Sequence, residues 1–346
     1  MANDKRANTP KPSYRQAWSY SISEQSSWIP SVSVTAMTFL ACLCFSMVLT
    51  DSLVELVKPV VAGATRTSVL WTVSALVLMP LCWMKDLKSL APFSLLGVAG
   101  MAYTGLAMAG RYFGGSYSTE GSALLEKVPE ALRPAFGTDG WKSVTKPGSI
   151  ILTSMLSTAY MCHFNAPKFY NELKDNTVPR FQKTVAAGFG ISILLTAFIA
   201  CIGFATFGGN SNGLVLNNYA PTDLWMGLAR VAVAISLTFS YPLCFQGLRE
   251  GALDVMGIAP SKRKDSHLNT ATVVLLFGLT VLATLLKDVS VVLAFTGATL
   301  GNLLCYIFPA LMYGRANPDA KIPALILGLL GVASSIVGVK LAIDAL

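Results

Sequence analysis

Charge is what this sequence has least of. Only 13% of its 346 residues are Asp, Glu, Lys or Arg, against 53% hydrophobic, and the mean hydropathy is +0.56. So few charges cannot cover a water-soluble protein of this size. Histidine is nearly absent, with His163 and His267 alone, and no Cys/His cluster has zinc spacing, so a histidine-based metal site has no basis. Six of the cysteines, Cys42, Cys44, Cys82, Cys201, Cys244 and Cys305, sit inside apolar runs, and Cys162 sits where one ends. None falls in an external connector where oxidation would pair it, so no structural disulfide is expected. The sequence has no asparagine sequon, P-loop, Rossmann glycine fingerprint or HExxH motif. Their absence excludes N-glycosylation on sequence and removes the footing for ATP-driven pumping and metalloprotease chemistry. The polar opening residues 1–27, with Pro10, Pro12 and many Ser, lack the pattern of a cleavable signal, so the first apolar run must itself direct insertion.

What fills the chain instead is a series of apolar runs of roughly 20 residues, the length a helix needs to cross hydrocarbon. About nine are read, at approximately 28–50, 68–84, 90–112, 148–166, 184–207, 223–248, 269–286, 289–313 and 322–343. The expected class is an all-α integral membrane protein, with a cytosolic tail over 1–27, a transmembrane domain over 28–346 and an external loop at about 113–147, including a short helix around 122–132. Lys and Arg concentrate in the connectors holding Lys5 to Arg15, Lys168 to Lys183, Arg249 to Lys264, and Arg315 to Lys321. By the positive-inside bias the N-terminus is cytosolic and the C-terminus extracytosolic. This asymmetry accounts for the net charge of +8 without a nucleic-acid partner. The lipid bilayer is the expected partner, and oligomeric state is left open.

The fourth run ends in a polar break, Cys162-His163-Phe164-Asn165-Ala166-Pro167, followed by a short charged helix. Pro167 has no N–H, so the His163 carbonyl loses its usual partner, and Asn165 is placed to cap the helix that follows. Exposed amides at a helix start suit a substrate carboxylate, which makes Cys162, His163, Asn165 and Pro167 candidate substrate-binding residues. A plain proline kink packed against its neighbours is the alternative. In the sixth run Pro242 likewise frees the Thr238 carbonyl, and the oxygens of Thr238 and Ser240 at mid-membrane depth suit a small cation. These hydroxyls otherwise bond back one turn earlier. His163 is either a proton carrier or a satisfied core histidine. Arg230 is expected to snorkel to the external interface, the alternative being a gate residue, and Gly297 and Gly301, spaced as GxxxG, to serve close helix packing.

Three ordered segments resemble one family. CHFNAPKFYNELKDNTVPRFQKTV from Cys162 to Val185 is similar to the sixth transmembrane helix and following loop of the amino acid/auxin permease family, which includes sodium-coupled neutral amino acid transporters and vacuolar amino acid transporters. ARVAVAISLTFSYPLCFQGLREGAL from Ala229 resembles its eighth helix, and FTGATLGNLLCYIFPALMY from Phe295 its tenth. The resemblance implies a LeuT-type bundle of inverted repeats and Na⁺- or H⁺-coupled transport of amino acids, with neutral ones as the expected substrates. It implies no enzyme activity, no cofactor beyond the coupling ion, and a plasma or vacuolar/lysosomal membrane. It further implies that Thr238 matches a threonine tied to the coupling ion. Counted from these anchors, run 28–50 is the family's third helix, so an incomplete LeuT-type bundle is expected. An N-terminally truncated family member that does not transport, or a membrane scaffold, is the alternative.

Overall fold

The structure is a computed structural model that describes residues 14–84, 91–118, 122–136, 149–163, 166, 169–170, 173–258 and 262–344. All regular structure among them is helical: α1 Tyr14–Ser21, α2 Trp28–Val57, α3 Arg66–Trp83, α4 Ala91–Phe113, α5 Ser149–Ala159, α6 Val178–Phe207, α7 Leu224–Val255, α8 Asp265–Leu285, α9 Val289–Ala316 and α10 Lys321–Asp344. Among the described residues seven of these, α2, α3 and α6 to α10, are long and apolar enough to cross a membrane. The protein is a multi-pass, all-α membrane protein. α4 and α5 occupy the other two apolar runs, with 23 and 11 residues.

Backbone chemistry explains the irregularities within these helices. α3 widens into a π-helical turn at Ser74–Leu78 just before Pro80, and α9 does so at Leu303–Ile307 just before Pro309. A π turn absorbs the ring that would otherwise strike the preceding turn. α7 instead carries Pro242 inside an uninterrupted helix.

α7 is the central element, packed most extensively on α2 and α4. Its Tyr241, Phe245 and Leu248 join Cys42, Leu43 and Met47 of α2, Leu70 and Leu78 of α3, and Leu276 and Leu279 of α8 in one core. By contrast α6 rests mainly on α4, and Ile191, Ile193 and Leu194 are exposed, as are Ile322, Leu325 and Ile336 of α10. Apolar faces of this extent are matched by hydrocarbon rather than by water.

Two connectors depart from the sequence expectation. The tail holds a helix, α1, whose Trp18 is buried edge-on against Phe308 at 4.8 Å and donates from Nε1 to Ser26 Oγ at 2.9 Å. The loop between α4 and α5, expected to be external, has two single 3₁₀ turns, Leu125–Lys127 and Glu130–Leu132, in place of one short helix.

Candidate functional site

The helix ladder of α5 runs out through Tyr160 N to Leu156 O at 2.9 Å and Met161 N to Thr158 O at 3.2 Å. Beyond it the chain is no longer α-helical at Cys162, an exposed free thiol, and turns at His163. The described wall of this break comes from three elements. Tyr14 of α1 meets the His163 ring edge-on at 5.8 Å, the Leu304 main chain of α9 hydrogen-bonds the imidazole, and Tyr160 stacks on Phe189 of α6 at 6.0 Å. Two of the candidate binding residues, Asn165 and Pro167, lie outside the described residues. After the break, Tyr170 OH donates to Asn176 O at 2.7 Å and its ring stands edge-on to Phe181 at 5.4 Å. Asp175, at φ 51°, makes the left-handed turn that leads into α6. Asp is among the few side chains that tolerate this conformation.

The other candidate pair lies on α7. Thr238 Oγ1 donates to Ala234 O at 2.7 Å, one turn back, and Ser240 is half-buried in the same helix. A back-bonded hydroxyl keeps a lone pair for a cation, so this bond and ion ligation are compatible. The break and this pair sit on differently packed elements: α5 packs on α9 and α10, α7 on α2 and α4. Among the described residues no group of three or more His, Cys, Asp or Glu is arranged to hold a metal ion.

Sequence reasoning missed a set of polar contacts that fix the bundle around these sites. Arg230 does not snorkel. It is 2% exposed, and Nη2 donates to the Leu216 and Tyr219 carbonyls at 2.7 and 3.1 Å, turning inward to close the 3₁₀ turn above α7. Next to it the buried Asp223 caps α7 and takes Arg111 Nη2 at 2.6 Å and Tyr117 OH at 2.9 Å. Burial, with the Asp223 charge adding to it, pushes the Tyr117 phenol above its ordinary range, so it stays a donor. Asn218 ties the same cap by donating to Leu132 O and Asn210 O at 3.1 and 2.8 Å. Arg66 joins Asp51 of α2 at 2.7 Å to the Ala283 carbonyl of α8 at 2.8 Å. Arg249 joins the Cys82 carbonyl at 2.8 Å to Thr272 Oγ1 at 3.0 Å. The signal for the arginine and aspartate contacts was in the sequence as ionisable residues inside or beside apolar runs, which require a named partner.

A family model described as "Transmembrane amino acid transporter protein" matches residues 6–341. The chain is similar to vacuolar amino acid transporter 5 of Schizosaccharomyces pombe, 26% identical over 246 residues that make up 70% of this chain and 55% of that protein. It is likewise similar to vacuolar amino acid transporter 7 of Saccharomyces cerevisiae, 26% identical over 178 residues, 51% of this chain and 34% of the relative. Solute carrier family 38 member 10 of Rattus norvegicus is 25% identical over 182 residues, 49% and 16% of the two chains. The chain therefore spans about half, or less, of the length of these relatives.

Proposed function

The chain belongs to the transmembrane amino acid transporter protein family, and from that premise we propose that it serves secondary-active, Na⁺- or H⁺-coupled movement of neutral amino acids across a plasma or vacuolar/lysosomal membrane. The observation that carries this reading is the break after α5. A helix that stops at Ala159 inside a membrane bundle leaves main-chain groups that only protein, water or a solute can satisfy. Cys162, His163, Asn165 and Pro167 receive the substrate there, its carboxylate at the start of the following helix. Tyr14, Tyr160, Cys162 and His163, the described side chains around the break, carry no fixed charge. Such a lining favours an uncharged substrate side chain. Thr238 and Ser240 bind the coupling cation, with the energy drawn from its gradient and no covalent step.

The test is uptake of radiolabelled neutral, acidic and basic amino acids into vesicles containing the purified chain, under an imposed Na⁺ or H⁺ gradient. Saturable uptake of neutral amino acids that collapses when the gradient is dissipated supports the reading. Uptake no greater than that of empty vesicles under both gradients overturns it in favour of a membrane scaffold.

A further inference from the structure

Of the three π-helical turns in the described residues, two precede a proline and the third does not. That third turn, Gly297–Gly301 of α9, lies eight residues before Pro309, too far for the ring to explain it. Its signature bond runs from Asn302 N to Gly297 O, five residues back. Such turns concentrate at functional sites because they cost helix geometry that something else must offset.

Here the widened turn faces a polar stripe on α5. Ser154 and Thr158 lie one turn apart on one face of that helix, and the glycines opposite let them in. A Cβ on Gly297 would overlap the Ser154 carbonyl, and Thr158 Oγ1 lies 3.0 Å from that same position and 3.2 Å from the corresponding position on Gly301. On the third side, Ser154 Oγ is 2.6 Å from where a Cβ of Gly338 in α10 would stand, and Ala298 Cβ is 2.9 Å from it. Asn302 is fully buried, and its amide Nδ2 reaches back to Ala298 O at 3.4 Å, which leaves Oδ1 as its free end.

Small residues alone would be packing. What separates this seam from packing is that Ser154 Oγ, Thr158 Oγ1 and Asn302 Oδ1 are all buried and have no hydrogen-bond partner. Ser154 is 1% exposed and Asn302 0%. Each such group costs about 1–3 kcal/mol if left unsatisfied, so three along one seam call for a partner. Neighbouring hydroxyls do not behave this way: Thr296 donates to Val292 O and Thr299 to Phe295 O, each at 2.6 Å.

We infer that the seam between α5, α9 and α10 binds a monovalent cation of sodium size through Ser154 Oγ, Thr158 Oγ1 and Asn302 Oδ1. Oxygen donors are the ligands of hard cations. The buried charged residues, Asp223, Arg230 and Arg249, belong to other parts of the bundle, so the ligand set is neutral and suits a single positive charge. Cys305 Sγ donating to the Ser157 carbonyl at 3.4 Å holds α5 against the second π turn and keeps the donors in register. The site is separate from Thr238 and Ser240 and does not depend on the transport reading, since binding is measured without a gradient.

The test is equilibrium binding of ²²Na⁺ to the purified full chain in lipid nanodiscs, paired with thermal unfolding in NaCl, KCl and choline chloride at one ionic strength. In a Thr238→Val background, which silences the other proposed ion site, saturable Na⁺ binding remains. Adding Ser154→Ala or Asn302→Leu weakens it about tenfold or more. Because either change could disturb packing, Asn302→Asp is the second variant. A carboxylate ligand tightens Na⁺ binding and enlarges the Na⁺-specific rise in Tm, whereas a seam that holds water alone makes the same variant less stable in all three salts. Undiminished Na⁺ binding in Ser154→Ala and Asn302→Leu, or equal Tm in NaCl and choline chloride for the Thr238→Val chain, overturns the proposal.

Discussion

Asp223 shows how much a single residue holds together in this bundle. Its carboxylate takes four donors, Arg111 Nη2, Tyr117 OH and the main-chain N–H groups of Trp225 and Met226, at 2.6 to 3.4 Å. The side chain is fully buried, and the Arg111 guanidinium also covers the Trp225 ring at 4.6 Å. Asp223→Ala leaves the arginine and the start of α7 unsatisfied, and is expected to cost about 3–5 kcal/mol in unfolding measured in detergent. Glu55→Ala is the control. Its pair with Lys58 is 2.8 Å long but reaches solvent, so the loss is expected to be about 0–1 kcal/mol. Equal losses in the two variants would mean that the cap at the start of α7 is not locked as described.

Single residues were also the least legible part of the sequence. Thr238 could be picked out because Pro242 follows four residues later, yet its bond to Ala234 O was only one of two readings. Arg230 was misplaced. From the apolar run alone an arginine two turns from the end snorkels, and only the carbonyls of Leu216 and Tyr219, brought back over α7 by the preceding turn, redirect it inward. A contact between residues of separate elements leaves no periodic trace in either one.

At the scale of elements, hydropathy served better. Eight of the nine apolar runs read from sequence coincide with a helix over most of their length, because a run of about 20 apolar residues has no other stable state in hydrocarbon. The fourth run is different: α5 covers Ser149–Ala159, and the run read to residue 166 includes the break. Helix ends were less legible, since α2 and α7 continue past the apolar run to Val57 and Val255. The tail helix α1 was missed although Tyr14 and Trp18 stand one turn apart, a spacing that places both aromatics on one face.

Close packing between elements yields a sharp prediction. Gly297→Ala sets a methyl group against the Ser154 carbonyl, a backbone atom that cannot swing aside, and is expected to destabilise the chain by about 1–3 kcal/mol. Gly188→Ala on α6 meets nothing within 4 Å, and in a helix interior is expected to be neutral or to add about 0.4–1 kcal/mol. Thermal unfolding of the two variants checks the contrast, and destabilisation by the α6 change alone would contradict the α5–α9 contact.

For the whole molecule, the bundle places the cap built from Tyr117, Asn218 and Asp223 at one end and Arg249 with Arg263 toward the other. From the distribution of Lys and Arg the Arg249 end is expected to face the cytosol. Cysteines introduced singly at Ser118 and at Lys262 are therefore expected to react with a membrane-impermeant thiol reagent from opposite faces, Lys262→Cys from the cytosolic one. Labelling of both from one face would contradict the topology.

Whether the break after α5 receives an amino acid is read at Cys162. Its thiol is exposed at the break, while Cys42, Cys44 and Cys82 are buried and the exposed Cys201 lies on the apolar surface of α6. A charged alkylating reagent applied to the purified chain in nanodiscs, with peptide mass spectrometry as readout, follows Cys162 separately from the others. The account predicts that neutral amino acids slow Cys162 modification in a saturable way, that acidic and basic ones do so weakly, and that Cys201 is unaffected. Cys162 modification that proceeds at one rate with and without every amino acid tested would contradict a substrate site at the break.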